Sequence, residues 1–245
     1  LKGNINNALL CLLSLILLFA PLFIQNKFAI TLPSGLEITI YFFIFAAEIL
    51  GEINNFYGII PYWDTILHTI NGFLAAAVGF SLIDLLNKNS KNVNLSPFYL
   101  CLVAFCFSMT IGVLWEFFEY SSDKFFDLDM QKDTVVKKIS SVTLNPSGKN
   151  KAIVVSSIGK TVIYDENGYI LETIDGGYLD IGLNDTMKDL LVNFIGAVVF
   201  CSFAYLALKQ NKKNNFIDKF IPTKEKRPMA SSVIKEIEDR KELLK

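Results

Sequence analysis

The chain has 245 residues, of which 52% are hydrophobic and 13% aromatic, with a mean hydropathy of +0.40. Charged residues make up 19%, below the roughly 25% of a typical soluble protein. The formal net charge of −1, with no basic face outside a short tail, excludes nucleic acid as a partner. The four cysteines lie inside apolar runs, which indicates helix packing and not a disulfide framework.

Five apolar segments approach the roughly 20 residues that a helix needs to cross a bilayer. They are residues 8–24, 36–53, 59–86, 97–120 and 190–208. The first has no suitably placed small-residue cleavage site, so we interpret it as a span and not as a signal peptide. The sequence predicts an all-α transmembrane helical bundle of about five spans. Because the sequence begins at Leu1 and not at a methionine, it leaves open whether a further helix precedes the first span.

Lysines in the connecting segments predict the orientation. The 87–96 connection carries Lys88 and Lys91, the tail beginning at Lys209 is basic, and the 54–62 connection has neither Lys nor Arg. Positive residues favour the cytoplasmic side. We therefore expect a multi-pass cell-membrane protein whose C-terminal tail, residues 209–245, is cytoplasmic and whose 54–62 connection faces outward.

A polar stretch between the fourth and fifth spans has the pattern of β-structure. Residues 152–156, 160–164 and 169–173 alternate or are β-branched, and the D-E-N-G sequence at 165–168 is typical of a hairpin turn. The predicted organisation is spans 1–4 in residues 1–122, a small β-rich extramembrane insertion at 123–184, and span 5 at 185–208. We expect the insertion to be an extracytoplasmic β-meander.

Acidic residues recur in four of the spans at helical spacing. A charged side chain at the centre of a span costs at least about 2.5–3.5 kcal/mol and marks a functional site by default. The predicted topology places all of these residues in the outer halves of their helices, with the single histidine among them. By helix they are Glu48 and Glu52; Asp64, His68 and Asn71; Glu116, Glu119 and Asp123; and Asp185, Asp189 and Asn193.

Three interpretations of this convergence compete. In the first, a divalent metal ion is bound by His68, Asp64, Glu116 and Glu119, with Asp189 completing a catalytic group, because one imidazole with several carboxylates suits a catalytic ion. In the second, the acids form a proton or cation relay. In the third, the acids are solvated at the membrane interface and cap helix starts.

The order of motifs resembles the YjdF-like family of uncharacterised bacterial integral membrane proteins. The resemblance rests on I-F-A-A-E-I-L-G-E-I-N-N-F-Y at 44–57, W-D-T-I-L-H-T-I-N-G at 63–72, W-E-F-F-E-Y-S-S-D at 115–123, M-Q-K at 130–132 and D-T-M-K-D-L-L-V-N-F-I-G-A at 185–197. It adds Gln131 to the polar residues and implies that residues 133–180 are an accessory insertion. A vaguer likeness to VanZ-like membrane proteins is an analogy only.

Three functions follow as hypotheses. One is metal-dependent hydrolysis of a lipid-linked or cell-envelope substrate at an outward-facing site, with Asp64, His68, Glu116, Glu119 and Asp189 as catalytic residues. Another is a proton- or cation-coupled transporter that uses the same acids. The last is a membrane scaffold whose insertion binds a partner. The sequence has no phosphate-binding loop, nucleophile elbow or H-E-x-x-H pair, so it leaves enzyme activity and substrate open.

Overall fold

The structure is a computed structural model that describes residues 2–28, 30–89, 94–210 and 223–224. It is mostly helical. The helices are α1 (Lys2–Phe28), α2 (Ser34–Ile44), a π-helix (Phe45–Ile53), α3 (Phe56–Ile59), α4 (Trp63–Asn89), α5 (Pro97–Phe126) and α6 (Leu183–Gln210). Apart from residues 223–224, the predicted cytoplasmic tail beyond residue 210 lies outside the described residues.

Within those residues, three helices are long and apolar enough to cross a membrane. They cover Trp63–Lys88, Pro97–Phe126 and Leu183–Gln210, which correspond to the third, fourth and fifth predicted spans. The prediction of helices long and apolar enough to span a membrane is confirmed for these three. The first predicted span lies in α1, whose apolar part is Ser14–Lys27.

The second predicted span changes its helical geometry halfway. An α-helix of 11 residues ends at Ile44 and continues directly as a π-helix of 9 residues. Long π-helical stretches are rare and concentrate at functional sites. Both acids of this segment, Glu48 and Glu52, lie in the π-helix.

The core lies between α4, α5 and α6. It is built mainly from alanines, with Phe80 of α4 against Phe200 of α6 at a ring separation of 6.0 Å. On the other sides of α5 and α6, large apolar residues such as Phe98, Phe117 and Phe203 are exposed. This inversion, with small residues inside and large apolar residues outside, is typical of helices that pack in lipid.

Helices α4 and α6 approach each other to backbone contact through glycines. A Cβ atom at Gly72 would lie 2.0 Å from the carbonyl oxygen of Asn193, and one at Gly196 would lie 2.0 Å from that of Thr69. Ser108 of α5 donates to the Gly72 carbonyl oxygen at 2.8 Å. The sequence-based interpretation of these glycines as close-packing sites agrees with this geometry.

We expect Gly196→Ala to separate α4 from α6, because its new methyl group meets backbone and not a flexible side chain. Overpacking of this kind costs about 1–3 kcal/mol. The midpoint of thermal unfolding in detergent should fall accordingly. Gly159→Ala is the control, since nothing lies within 4 Å of a Cβ there. Equal midpoints for the two variants would contradict the close approach.

The β-rich segment between α5 and α6 contains six strands. They are β2 (Val135–Val136), β3 (Lys138–Ser141), β4 (Ile153–Ser156), β5 (Lys160–Tyr164), β6 (Ile170–Asp175) and β7 (Tyr178–Leu179). A further short pair joins β1 (Ile30–Thr31) to β8 (Thr223–Lys224). The three predicted strands and the hairpin turn at 165–168 are present.

The predicted meander is wrong. The strands form three separate two-stranded antiparallel sheets, β2–β7, β3–β4 and β5–β6. Strand β3 was missed because its sequence K-I-S-S is short and polar. It pairs with β4, β4 does not pair with β5, and β5 pairs with β6 alone.

The two ends of this segment meet at the end of the helical bundle. The Thr134 N–H donates to Asp180 Oδ1 at 2.8 Å, and the Asp180 N–H donates to the Thr134 carbonyl oxygen at 3.1 Å. Burial acts to raise the pKa of the Asp180 carboxyl, but hydrogen bonds from the Thr134 and Asn184 backbone hold it below its usual range. The segment is therefore closed at its base by its own pairing.

This closure predicts that residues 137–177 are dispensable for the bundle. Because Val136 pairs with Tyr178, an Asn-Gly turn can join them as a two-residue hairpin. The shortened protein should elute from size exclusion as a single folded species and unfold cooperatively. Replacement of the same residues with Pro-Pro, which cannot form this turn, is the control. Aggregation of the Asn-Gly variant would contradict the prediction.

Candidate carboxylate–histidine site

One end of the bundle, here called the acidic end, collects the predicted polar residues. Helices α4 and α6 begin there and α5 ends there, so their terminal turns face one another. This brings together Asp64 and His68 of α4, Glu116 and Glu119 of α5, and Asp189 of α6. All but Asp64 are buried, with Glu116 4% exposed and Asp189 1%.

His68 lies at the centre of the group. Its Nε2 is 3.4 Å from Asp64 Oδ1 and 3.9 Å from Asp189 Oδ2. Its Nδ1 points the other way, 3.9 Å from Glu116 Oε1. Asp64, His68 and Asp189 each offer one ligand atom, and these atoms all lie within 4.8 Å of one another. These three residues could hold one metal ion.

The structure places Glu116 and Glu119 differently from this group. Glu116 faces the opposite ring nitrogen, and neither of its oxygens accepts a hydrogen bond of normal geometry within the described part of the chain. Glu119 Oε1 accepts a hydrogen bond from Trp115 Nε1 at 2.7 Å. The predicted metal ligands were His68, Asp64, Glu116 and Glu119. In the structure, Asp189 joins Asp64 on the Nε2 side of His68, whereas Glu116 faces Nδ1 and Glu119 hydrogen-bonds to Trp115.

Lys188 was not identified from the sequence, although it contacts three acids. Its Nζ lies 3.2 Å from Asp185 Oδ1, 3.5 Å from Asp64 Oδ2 and 3.7 Å from Asp189 Oδ1. Such proximity lets one ammonium offset the repulsion between carboxylates of two helices. The signal that could have found it is the spacing in D-T-M-K-D, which puts Lys188 three residues after Asp185.

A layer of amides forms the inner boundary of the site. Asn71 Nδ2 donates to Asn193 Oδ1 at 3.2 Å, and Asn193 Nδ2 donates to the Ser108 carbonyl oxygen at 3.4 Å. Asn193 is 1% exposed, and Gly112 leaves room for its side chain. The prediction that Asn71 and Asn193 face the acids is consistent with this layer, beyond which the apolar core begins.

Three of the predicted polar residues hold the rim together. Asp123 accepts hydrogen bonds from the backbone N–H groups of Met130, at 2.6 Å, and Gln131, at 2.8 Å. Gln131 Nε2 donates to Thr186 Oγ1 at 2.5 Å, and Asp185 Oδ2 accepts from the Lys132 N–H at 3.0 Å. These contacts fix the end of α5 against the start of α6.

Glu48 and Glu52 face the site across a cavity of about 440 Å³. Asp64, Glu119, Lys132 and Lys188 also line this cavity. Tyr57 lies between the π-helix and α4, where burial first, and then the nearby carboxylates of Asp64, Glu52 and Glu48, raise the pKa of its phenol. Tyr57 therefore stays protonated at physiological pH and is a permanent hydrogen-bond donor.

Lys188→Met should destabilise the protein, because it leaves three aspartates near one another without their shared cation. Since Lys188 is half-exposed, we expect a loss of about 1–2 kcal/mol, measured as the midpoint of thermal unfolding. Adding Asp189→Asn should restore part of it, a non-additivity expected of contacting residues. Lys124→Met is the matched control, as Lys124 has no ion pair among the residues described. If the losses of the Lys188→Met and Asp189→Asn variants simply added in the double variant, Lys188 would not act by neutralising Asp189.

The fold and this site define a helical membrane protein with a buried carboxylate–histidine group at one end. The chain belongs to the family described as "Predicted membrane protein (DUF2238)", whose model matches residues 2–210. This is the YjdF-like family that the sequence motifs resemble; the likeness to VanZ-like proteins is not shown. No solved structure matches the chain.

One curated relative is an uncharacterized protein from Thermotoga maritima. It is 29% identical over 115 residues, which make up 46% of this chain and 58% of the relative. The chain thus spans less than two thirds of the length of the relative it matches.

Proposed function

We propose that this protein uses the acidic end to bind a divalent cation on the outer side of the membrane and to hydrolyse a lipid-linked or envelope substrate there. The observation that carries the proposal is the meeting of Asp64, His68 and Asp189, whose ligand atoms lie within 4.8 Å of one another. Three protein ligands with open positions are typical of catalytic metal sites.

Two buried acids support the proposal that a cation binds at this site. Asp189 Oδ1 and both oxygens of Glu116 accept no hydrogen bond of normal geometry in the described structure. Buried carboxylates in that condition are strongly destabilising unless they are protonated, solvated or bound to a cation. The half-exposed Lys188 offsets Asp189 only in part, and no Lys of the described ranges forms an ion pair with Glu116.

The residues divide into direct ligands and a positioning residue. Asp64, His68 Nε2 and Asp189 face one point and would bind the ion. Glu116 faces Nδ1 of His68 and, in a metal-bound state, would accept its N–H and orient the ring, as carboxylates behind metal-bound histidines do. The ion would supply Lewis-acid activation of a water molecule. Tyr57 and Lys188 could donate hydrogen bonds to the substrate from the cavity wall.

The same geometry supports an enzyme over a transporter. The acids of the acidic end stop at Asn71 and Asn193, and the apolar core around Phe80 and Phe200 separates them from Asp84 near the other end of α4. A proton or cation relay needs polar groups along the whole path. A site closed at its inner end suits a substrate that enters and leaves on the same side.

The membrane arrangement that completes the proposal has five crossings. Helices α4, α5 and α6 supply three, α1 the first, and α2 with the π-helix the second. The lysines near the end of α4 and after α6 support an orientation with the acidic end outside and the C-terminal tail in the cytoplasm. This orientation would expose the cavity to the extracytoplasmic space.

The protein purified in detergent should bind Mn²⁺, measured by electron paramagnetic resonance of the free ion. His68→Ala and Asp189→Asn each remove a direct ligand and should abolish binding. Glu116→Gln should retain binding with roughly 10–100-fold lower affinity, the usual effect of a residue behind a ligand. Lys188→Met should bind more tightly, because its ammonium competes for the same carboxylates.

Asp84→Asn is the matched control. Asp84 is a buried acid of the same helix, paired with Lys88 Nζ at 2.6 Å, and lies about five and a half turns from Asp64. Binding in this variant should equal that of the wild type. Equal binding by wild type and His68→Ala, with both proteins folded, would refute the metal site.

A further inference from the structure

A second cavity, of about 210 Å³, adjoins the first and has a different character. Its wall includes Leu17 of α1, Phe43 and Ile44 of α2, and Leu67 of α4, and it reaches His68 and Asn71. The two cavities share four lining residues: Ala47, Glu48, Tyr57 and Trp115. A ligand that fills both would have one polar and one apolar end.

Glu48 is the charged group at the junction. It is 5% exposed, and its Oε2 has no hydrogen-bond partner among the residues that the structure describes. Within the same residues it forms no ion pair, whereas Asp64, Asp185 and Asp189 share Lys188. The nearest acid of its own element is Glu52, which also lines the larger cavity. A cation bound beside it would neutralise this carboxylate.

Aromatic residues share the larger cavity with Glu48. Tyr57, Tyr62, Trp63 and Trp115 all line the larger cavity. Gly51 of the π-helix allows the Tyr57 ring to lie against that helix, since a Cβ there would be 2.4 Å from Tyr57 Cε2. Carboxylates combined with Trp and Tyr rings are the chemistry that recognises organic ammonium ions, by charge and by cation–π attraction.

We propose that the joined cavities bind an amphiphilic alkylammonium. Its ammonium group lies beside Glu48 among the Tyr57 and Trp115 rings, and its alkyl chain enters the cavity lined by Leu17, Ile44 and Leu67. An inorganic cation would leave the apolar cavity unused, and an anionic headgroup would meet the unpaired carboxylate. The inference goes beyond the proposed metal site, because Glu48 is not one of its three ligands.

The two tryptophans make the binding measurable. The chain has two Trp residues in all, and both, Trp63 and Trp115, line the larger cavity. Intrinsic fluorescence in a non-ionic detergent therefore reports on this site. Titration with octyltrimethylammonium should give a saturable change, with much weaker binding of tetramethylammonium, which has no chain, and of neutral octanol and anionic octyl sulfate.

Glu48→Gln tests the charge and should lower the affinity for octyltrimethylammonium about tenfold or more, the effect expected from loss of a buried charge partner. Glu37→Gln is the matched control. Glu37 is a glutamate of α2 that contacts Gln25 and Tyr41 and lines neither cavity. The affinity of the Glu37→Gln variant for octyltrimethylammonium should therefore equal that of the wild type. Ile44→Phe fills the apolar cavity. It should therefore abolish the difference in affinity between octyltrimethylammonium and tetramethylammonium.

Several results would overturn the inference. Equal affinity in Glu48→Gln and wild type would show that the carboxylate does not bind the ammonium. Equal responses to octyltrimethylammonium, octanol and octyl sulfate would show detergent-like partitioning. The metal proposal fails separately: Asp189→Asn, which should abolish Mn²⁺ binding, changes a residue that lines neither cavity and should keep its alkylammonium affinity within about threefold.

Discussion

The rest of the structure depends on the backbone contact between α4 and α6. Gly72 and Gly196 allow the two helices to touch, since a Cβ atom at either would lie 2.0 Å from a carbonyl oxygen of the other helix. That proximity lets Asn71 reach Asn193 and brings His68 to within 3.9 Å of Asp189. A larger side chain at either glycine would push the two helices apart and move their acids away from one another.

Electrostatics decides what such an arrangement can do. Acids drawn from α4, α5 and α6 repel one another at low dielectric unless cations lie between them. Lys188 supplies part of that charge beside Asp64 and Asp189, and Trp115 offsets Glu119 with a neutral hydrogen bond. Glu116 and Glu48 keep oxygens without partners. The two proposals concern these incompletely neutralised acids. A metal ion would bind at the group around His68, which Glu116 faces, and an organic cation would bind at Glu48.

Much of the fold could be read from local patterns. The three apolar helices, the strands at 153–156, 160–164 and 170–175, and the turn between the last two follow from composition and periodicity, which act over a few residues. The shared face of Asp64 and His68 follows from their i, i+4 spacing. The π-helical geometry of residues 45–53 was not predictable, because 9 residues are too few to distinguish its side-chain period from that of an α-helix. Strand β3 was too short and polar to recognise.

The sequence by itself determined that acids and the histidine gather at one end of a membrane bundle, because helix direction and residue spacing fix the level of each side chain. The tertiary structure alone decided which of them meet. Rotation of each helix about its axis, set by the glycine contacts, turned Asp189 toward Nε2 of His68 and Glu116 toward Nδ1. It also brought Lys188 between the aspartates and joined a polar cavity to an apolar one at Glu48. Packing between distant segments sets such rotations, and spacing along one helix carries no information about them.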